Sequence, residues 1–83
     1  MSDTLGLLAE SRHVAEDLGY SVREEPLGDL PGGACVVGGE RRILLNAEHA
    51  PAMQLEVLIA ALSTDERVRA LPLSRLLAAR LKV

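Results

Sequence analysis

Pro31-Gly32-Gly33-Ala34-Cys35-Val36-Val37-Gly38-Gly39-Glu40-Arg41-Arg42-Ile43-Leu44-Leu45-Asn46 is the stretch that decides the fold. Two apolar runs flank Gly38-Gly39, and that spacing predicts a β-hairpin, because both glycines can take the positive φ of a tight turn. Side chains alternate along a strand, so Ala34, Val36, Ile43 and Leu45 share one face, and Cys35, Val37, Arg42 and Leu44 the other. The first set is wholly apolar and is expected to meet the core. The second is mixed, which places the chain's single cysteine on a more accessible side.

Upstream, residues 5–18 have helical periodicity. Leu7 or Leu8, Ser11, Val14 or Ala15, and Leu18 recur on one face, with Glu10, Arg12, Glu16 and Asp17 opposite. Asp3 or Thr4 is the expected N-cap and Gly19 the left-handed C-cap. Tyr20-Ser21-Val22-Arg23-Glu24-Glu25 alternates until Pro26 stops it, which predicts an edge strand. Residues 26–33 hold two prolines and three glycines and read as a surface loop.

Downstream, Pro51 suits the first turn of a helix running to about Leu62. Its stripe of Leu55, Leu58, Ile59 and Leu62 is widened by Val57, Ala60 and Ala61, so a central, buried helix is expected. Ser63-Thr64-Asp65-Glu66 has capping-box spacing and predicts a short helix ended near Leu71-Pro72. Leu73, Leu76, Leu77 and Leu81 line a C-terminal helix, with Arg80 and Lys82 at its negative dipole end. The expected fold is therefore α+β: a single domain over 1–83, with the order α-β-β-β-α-α. It combines a small antiparallel sheet of about three strands with helices on one face.

Eighty-three residues allow one hydrophobic core. With 48% apolar residues and Tyr20 as the lone aromatic, leucine and valine must fill it. The net charge of −3 conceals an asymmetry. Residues 1–30 carry two arginines against seven acids, and residues 64–83 carry five basic residues against two acids. Pairing within the chain or solvated faces is the first expectation. A contact in which acidic and basic ends meet between subunits is the sharper one.

Several function classes fit poorly. The chain lacks a basic segment followed by an apolar core at its N-terminus, and its lone cysteine needs no oxidising compartment, so a cytoplasmic location is expected. No apolar run approaches the roughly 20 residues of a membrane span. Nucleic acid is disfavoured by the negative charge and the missing aromatic platforms. The glycine pairs match neither a dinucleotide fingerprint nor a P-loop, and no cofactor is expected. His13, Cys35 and His49 stand apart in sequence. The one single-face combination, Glu10-His13-Asp17, reads as a solvated helix face, so no metal is expected.

Nucleophilic chemistry would have to centre on Cys35, with His49 or His13 as base and Arg42 as the electropositive neighbour across the hairpin. A buried or half-buried structural residue is the plainer expectation, with Cys35, His49 and Arg42 kept as candidate site residues.

The pattern Leu18-Gly19, Gly32-Gly33-x-Cys35-x-Val37-x-Gly39, Ile43-x-Leu45 and a leucine-rich helix resembles a group of small uncharacterised bacterial proteins. The resemblance covers about residues 15–63, and Gly-Gly-x-Cys is its most specific element. More distantly, Ile43-Leu44-Leu45-Asn46 before a helix is similar to the ImmA/IrrE-type minimal metallopeptidase scaffold. There the following helix carries His-Glu-x-x-His, whereas Gln54-Leu55-Glu56-Val57-Leu58-Ile59-Ala60-Ala61-Leu62 has no histidine. The resemblance implies a shape and no zinc site or peptidase activity.

The functional expectation is a non-catalytic module that associates with itself, as a dimer, or with a protein partner. The wide apolar stripes on residues 52–62 and 73–81 motivate it, since so small a chain struggles to bury both. A small enzyme or redox protein using Cys35 is the alternative.

Overall fold

A computed structural model describes residues 3–83 of the chain. Its elements are α1 (Thr4–Asp17), β1 (Ser21–Glu25), β2 (Gly33–Val37), β3 (Glu40–Asn46), α2 (Pro51–Ser63), a 3-10 helix (Glu66–Ala70) and α3 (Arg75–Leu81). The α+β class and the three-stranded sheet are as expected. One sheet layer and one helix layer make a body of 35 × 32 × 16 Å.

The sheet corrects the expectation of an antiparallel one: it is mixed. Its order is β1-β3-β2, with β1 parallel to β3 and β2 antiparallel to β3. A two-residue turn forces the strands it joins to be neighbours, and Gly38-Gly39 does this for β2 and β3. Both take positive φ, 58° and 83°, the signature of a type I′ turn. Residues 26–32 are long enough to carry the chain across two strand spacings, roughly 10 Å. That segment passes over the C-terminal end of β3, so β3 occupies the slot between β1 and β2.

Asn46 builds this crossing. Its side chain is fully buried. Oδ1 accepts from the backbone N–H of Leu27 (3.2 Å) and of Glu48 (3.0 Å). Nδ2 donates to the carbonyls of Gly28 (2.9 Å) and Leu30 (3.0 Å). The loop expected to be an irregular surface is therefore anchored by this side chain at three points, Leu27, Gly28 and Leu30.

α1 ends as Gly19 requires. With φ of 93°, Gly19 lets its own N–H reach Glu16 O and lets Tyr20 N–H reach Ala15 O, a Schellman closure. Asp3 sits at the N-cap position, but its side chain makes no capping bond. The expected capping box at Ser63 is also replaced. α2 runs through Ser63, whose hydroxyl donates to Ile59 O, and Asp65 caps the 3-10 helix by accepting from Arg67 N–H.

Both long helices cover one sheet face. Glu24 is met from α1 by Arg12 and from α2 by Gln54, and its neighbours on that face, Ile43 and Leu45, are fully buried. Leu7, Leu8, Val14 and Ala15 of α1 join Leu55, Leu58 and Leu62 of α2, with Val68, Leu77 and Leu81 closing the end. α3 docks through Glu10, whose carboxylate accepts from the Ser74 hydroxyl (2.6 Å) and backbone N–H (2.8 Å). The Ser74 hydroxyl in turn caps Leu77 N–H.

Candidate functional site

The alternation holds for both strands, since Ala34 pairs with Ile43 and shares its face, but the expected contact with the core holds for β3 and fails for β2. Ile43 and Leu45 are buried, whereas Ala34 is exposed and Val36 is 68% exposed. β2 is the edge strand, and α2 packs against it as well as against β3 but leaves the side chains of Ala34 and Val36 open to solvent. α2 is central as expected, packing against α1, β2, β3, the 3-10 helix and α3, but it is not buried all round: Met53 and Ala60 are exposed and Val57 is half-buried.

A groove of about 470 Å³ lies between β2 and α2. Pro31, Gly32, Gly33 and Ala34 form one wall, and Val57, Ala60 and Ala61 the other, with Glu56 and Thr64 at its margin. On the helix-free face a second groove of about 290 Å³ runs between Leu27, Leu30 and Leu44, with Cys35 in its wall.

Hydrogen bonding makes the β2 edge available. In a two-residue hairpin the closing pair, here Val37 and Glu40, exchanges both backbone bonds, and the pattern then alternates. Cys35–Arg42 and Gly33–Leu44 are therefore bonded pairs. The N–H and C=O of Ala34 and Val36 point away from β3, along the open side of the sheet. No residue from Leu30 to Gly39 carries a charge. The opposite edge, β1, carries Arg23, Glu24 and Glu25, the usual protection against pairing.

The three candidate residues separate into two places. Cys35 and Arg42 are direct cross-strand partners, which sets their Cα atoms about 5.5 Å apart. Cys35 is a half-buried free thiol. The Arg42 guanidinium turns to Glu40, with Nε and Nη2 each 3.4 Å from a carboxylate oxygen. Arg42, aided by Ser21 and Arg23, holds the Glu40 carboxyl below its ordinary range. His49 follows β3 at its other end, where its N–H donates to Asn46 O. Four residue steps along β3 lead from Arg42 to Asn46, about 13 Å. His49 and Cys35 are thus not brought together. His13 lies on α1 beside Asp17, at 3.5 Å and largely exposed. Among the described residues, no three His, Cys, Asp or Glu side chains gather as a metal site would need, and no helix is long and apolar enough to cross a membrane.

Sequence reading missed the clip around Asp65. Arg67 holds its carboxylate through Nε (3.0 Å) and Nη2 (2.7 Å), and the Tyr20 hydroxyl donates to Oδ2 at 3.0 Å. Arg41 approaches to 3.9 Å, and its guanidinium lies 6.0 Å from the centre of the Tyr20 ring. These donors, Arg67 foremost, hold the Asp65 carboxyl far below the usual carboxylate range. Arg80 pairs with Glu56 and Arg67 with Asp65, and neither pair joins the acidic residues 1–30 to the basic residues 64–83. The overlooked signal was an aspartate two residues before an arginine, which the capping-box reading absorbed.

Comparisons of the chain with protein-family models, with curated proteins and with solved structures give no match.

Proposed function

We propose that the protein is a non-catalytic association module that pairs with itself through the free edge of β2. One observation carries this reading. β2 is an edge strand without charge, with two residues turning their backbone groups outward and Val36 68% exposed beside an apolar groove. Folded proteins ordinarily blunt such edges with charge or proline, as β1 does here with Arg23, Glu24 and Glu25. An uncovered edge of this kind is a template for strand addition.

The test is the mass in solution, measured by light scattering after size exclusion from low micromolar to about millimolar concentration. The expected result is a rise above the 8.9 kDa of one chain, abolished in Val36→Lys. Val36 lies outside the core, so the lysine changes the edge without disturbing the packing. A chain that stays at monomer mass throughout overturns the reading.

The reading of Cys35 as a catalytic or redox thiol has less behind it. Arg42 would have to serve as its electropositive neighbour, but the guanidinium is engaged by Glu40, and His49 lies too far along the sheet to act as base. Rapid thiol labelling at pH 6 would favour the thiol reading instead.

A further inference from the structure

We infer that the partner on the β2 edge is a second copy of this chain in one antiparallel register, with Cys35 facing its own counterpart across a two-fold axis. The inference rests on the self-association proposed above and adds its geometry.

The register follows from where β2 is extended and which way its backbone points. Gly32 and Gly38, with φ of 82° and 58°, bend the chain at either end of the strand. Between them only Ala34 and Val36 turn their N–H and C=O outward. An axis at Cys35 pairs Ala34 with Val36 of the other copy and Val36 with its Ala34, which makes four backbone hydrogen bonds. An axis at Val36 would set Ala34 against Gly38, and an axis at Ala34 would set Val36 against Gly32. Each of those pairs engages a bent glycine, so only two bonds remain. The register centred on Cys35 is the one that uses every outward group.

Side chains agree with this choice. Val36 and Ala34 share the helix-side face, so pairing them lays Val36 of one copy beside the groove lined by Ala34, Val57, Ala60 and Ala61 of the other. Each copy supplies one exposed valine and receives one. Charge also selects an identical partner. In this register the nine uncharged residues 31–39 map onto one another without like-charge apposition, and a charged peptide would find no counter-charge there. The result is a continuous six-stranded sheet, β1-β3-β2-β2-β3-β1. One strand and two grooves make a contact of about 800 Å² per partner or less, in the size range of weak, reversible association.

In this register Cys35 and its counterpart form a non-hydrogen-bonded pair, with Cβ atoms about 5 Å apart on the helix-free face. Val37, on the same face, lies opposite Gly33, so two Val37 positions are about 14 Å apart. A short bis-maleimide separates these distances. At concentrations where light scattering shows dimer, the native chain is expected to yield covalent dimer on a denaturing gel. Cys35→Ser/Val37→Cys is expected to yield at least tenfold less at equal thiol labelling. A dimer by mass that links equally well or better through position 37, or not at all through Cys35, overturns the register and leaves self-association standing. A monomer at every concentration removes both.

Discussion

The side-chain amide of Asn46 donates to the carbonyl of Leu30 at 3.0 Å, tying the end of the central strand to the loop that crosses it. That one side chain also holds Gly28 O, Leu27 N–H and Glu48 N–H. It explains why β1 and β2 can stand on opposite sides of β3. Without it, three backbone groups of the crossing loop and the N–H of Glu48 would be left seeking partners over the strand end.

Asn46→Ala is expected to cost about 2–4 kcal/mol in chemical denaturation, since it strips partners from partly buried backbone groups. Asn46→Asp is expected to do no better. It keeps the acceptor but turns a carboxylate toward two carbonyls. Hydrogen exchange at Leu27 and Glu48 should accelerate in both variants. Retained protection there would show that the loop is held by other contacts.

Asp65 makes stability depend on pH at the acid end. Its folded-state pKa is depressed, foremost by Arg67, so its contribution is present above the unfolded value of about 3.9. As pH falls below about 5, the unfolded chain takes up a proton that the folded chain refuses, and stability is lost. Asp65→Asn should be less stable than the native chain at pH 7 by roughly 1–3 kcal/mol. It should also lose less on acidification. Denaturation midpoints from pH 7 to pH 2.5 read the difference, and parallel curves would rule the clip out.

Two glycines with positive φ should respond unequally to alanine. At Gly38 (φ 58°) an added Cβ meets nothing, so the cost is the left-handed backbone alone, about 1–2 kcal/mol. At Gly32 (φ 82°) the same carbon falls 2.3 Å from the carbonyl oxygen of Leu44. That clash is with backbone and cannot relax by a side-chain turn. Gly32→Ala should therefore cost about 3 kcal/mol or more, and comparable melting temperatures for the two variants would contradict this.

Ser11 is fully buried on the inward face of α1, and its hydroxyl has no hydrogen-bond partner. Ser11→Ala removes that unsatisfied group and improves helix propensity. It is expected to stabilise the fold by about 0.5–2 kcal/mol, read as a higher urea midpoint with unchanged slope. A lower midpoint would mean that the hydroxyl is bonded in solution.

Element identity was legible because it is local. The Gly38-Gly39 turn, the stop at Gly19 and the start at Pro51 each depend on a few neighbouring residues, and all three stand where periodicity placed them. The burial of Ile43 and Leu45 followed from alternation once the hairpin was known. The burial of Ala34 and Val36 did not follow, because alternation states which face a residue is on and not whether a helix covers it. The candidate site suffered the same limit. Cys35 and Arg42 meet because the hairpin register is local, and His49 stands apart because strand length separates it.

By itself, then, the sequence determined the hairpin, the helices and an α+β chain whose core is made almost wholly of leucine, valine, isoleucine and alanine. Only the tertiary structure decided the strand order, the parallel pairing of β1 with β3, and the exposure of the β2 edge. The reason is that these depend on how long the 26–32 crossing is and where Asn46 pins it. They depend equally on how α2 seats across β3 and β2, and none of these quantities is written in a pattern of neighbouring residues.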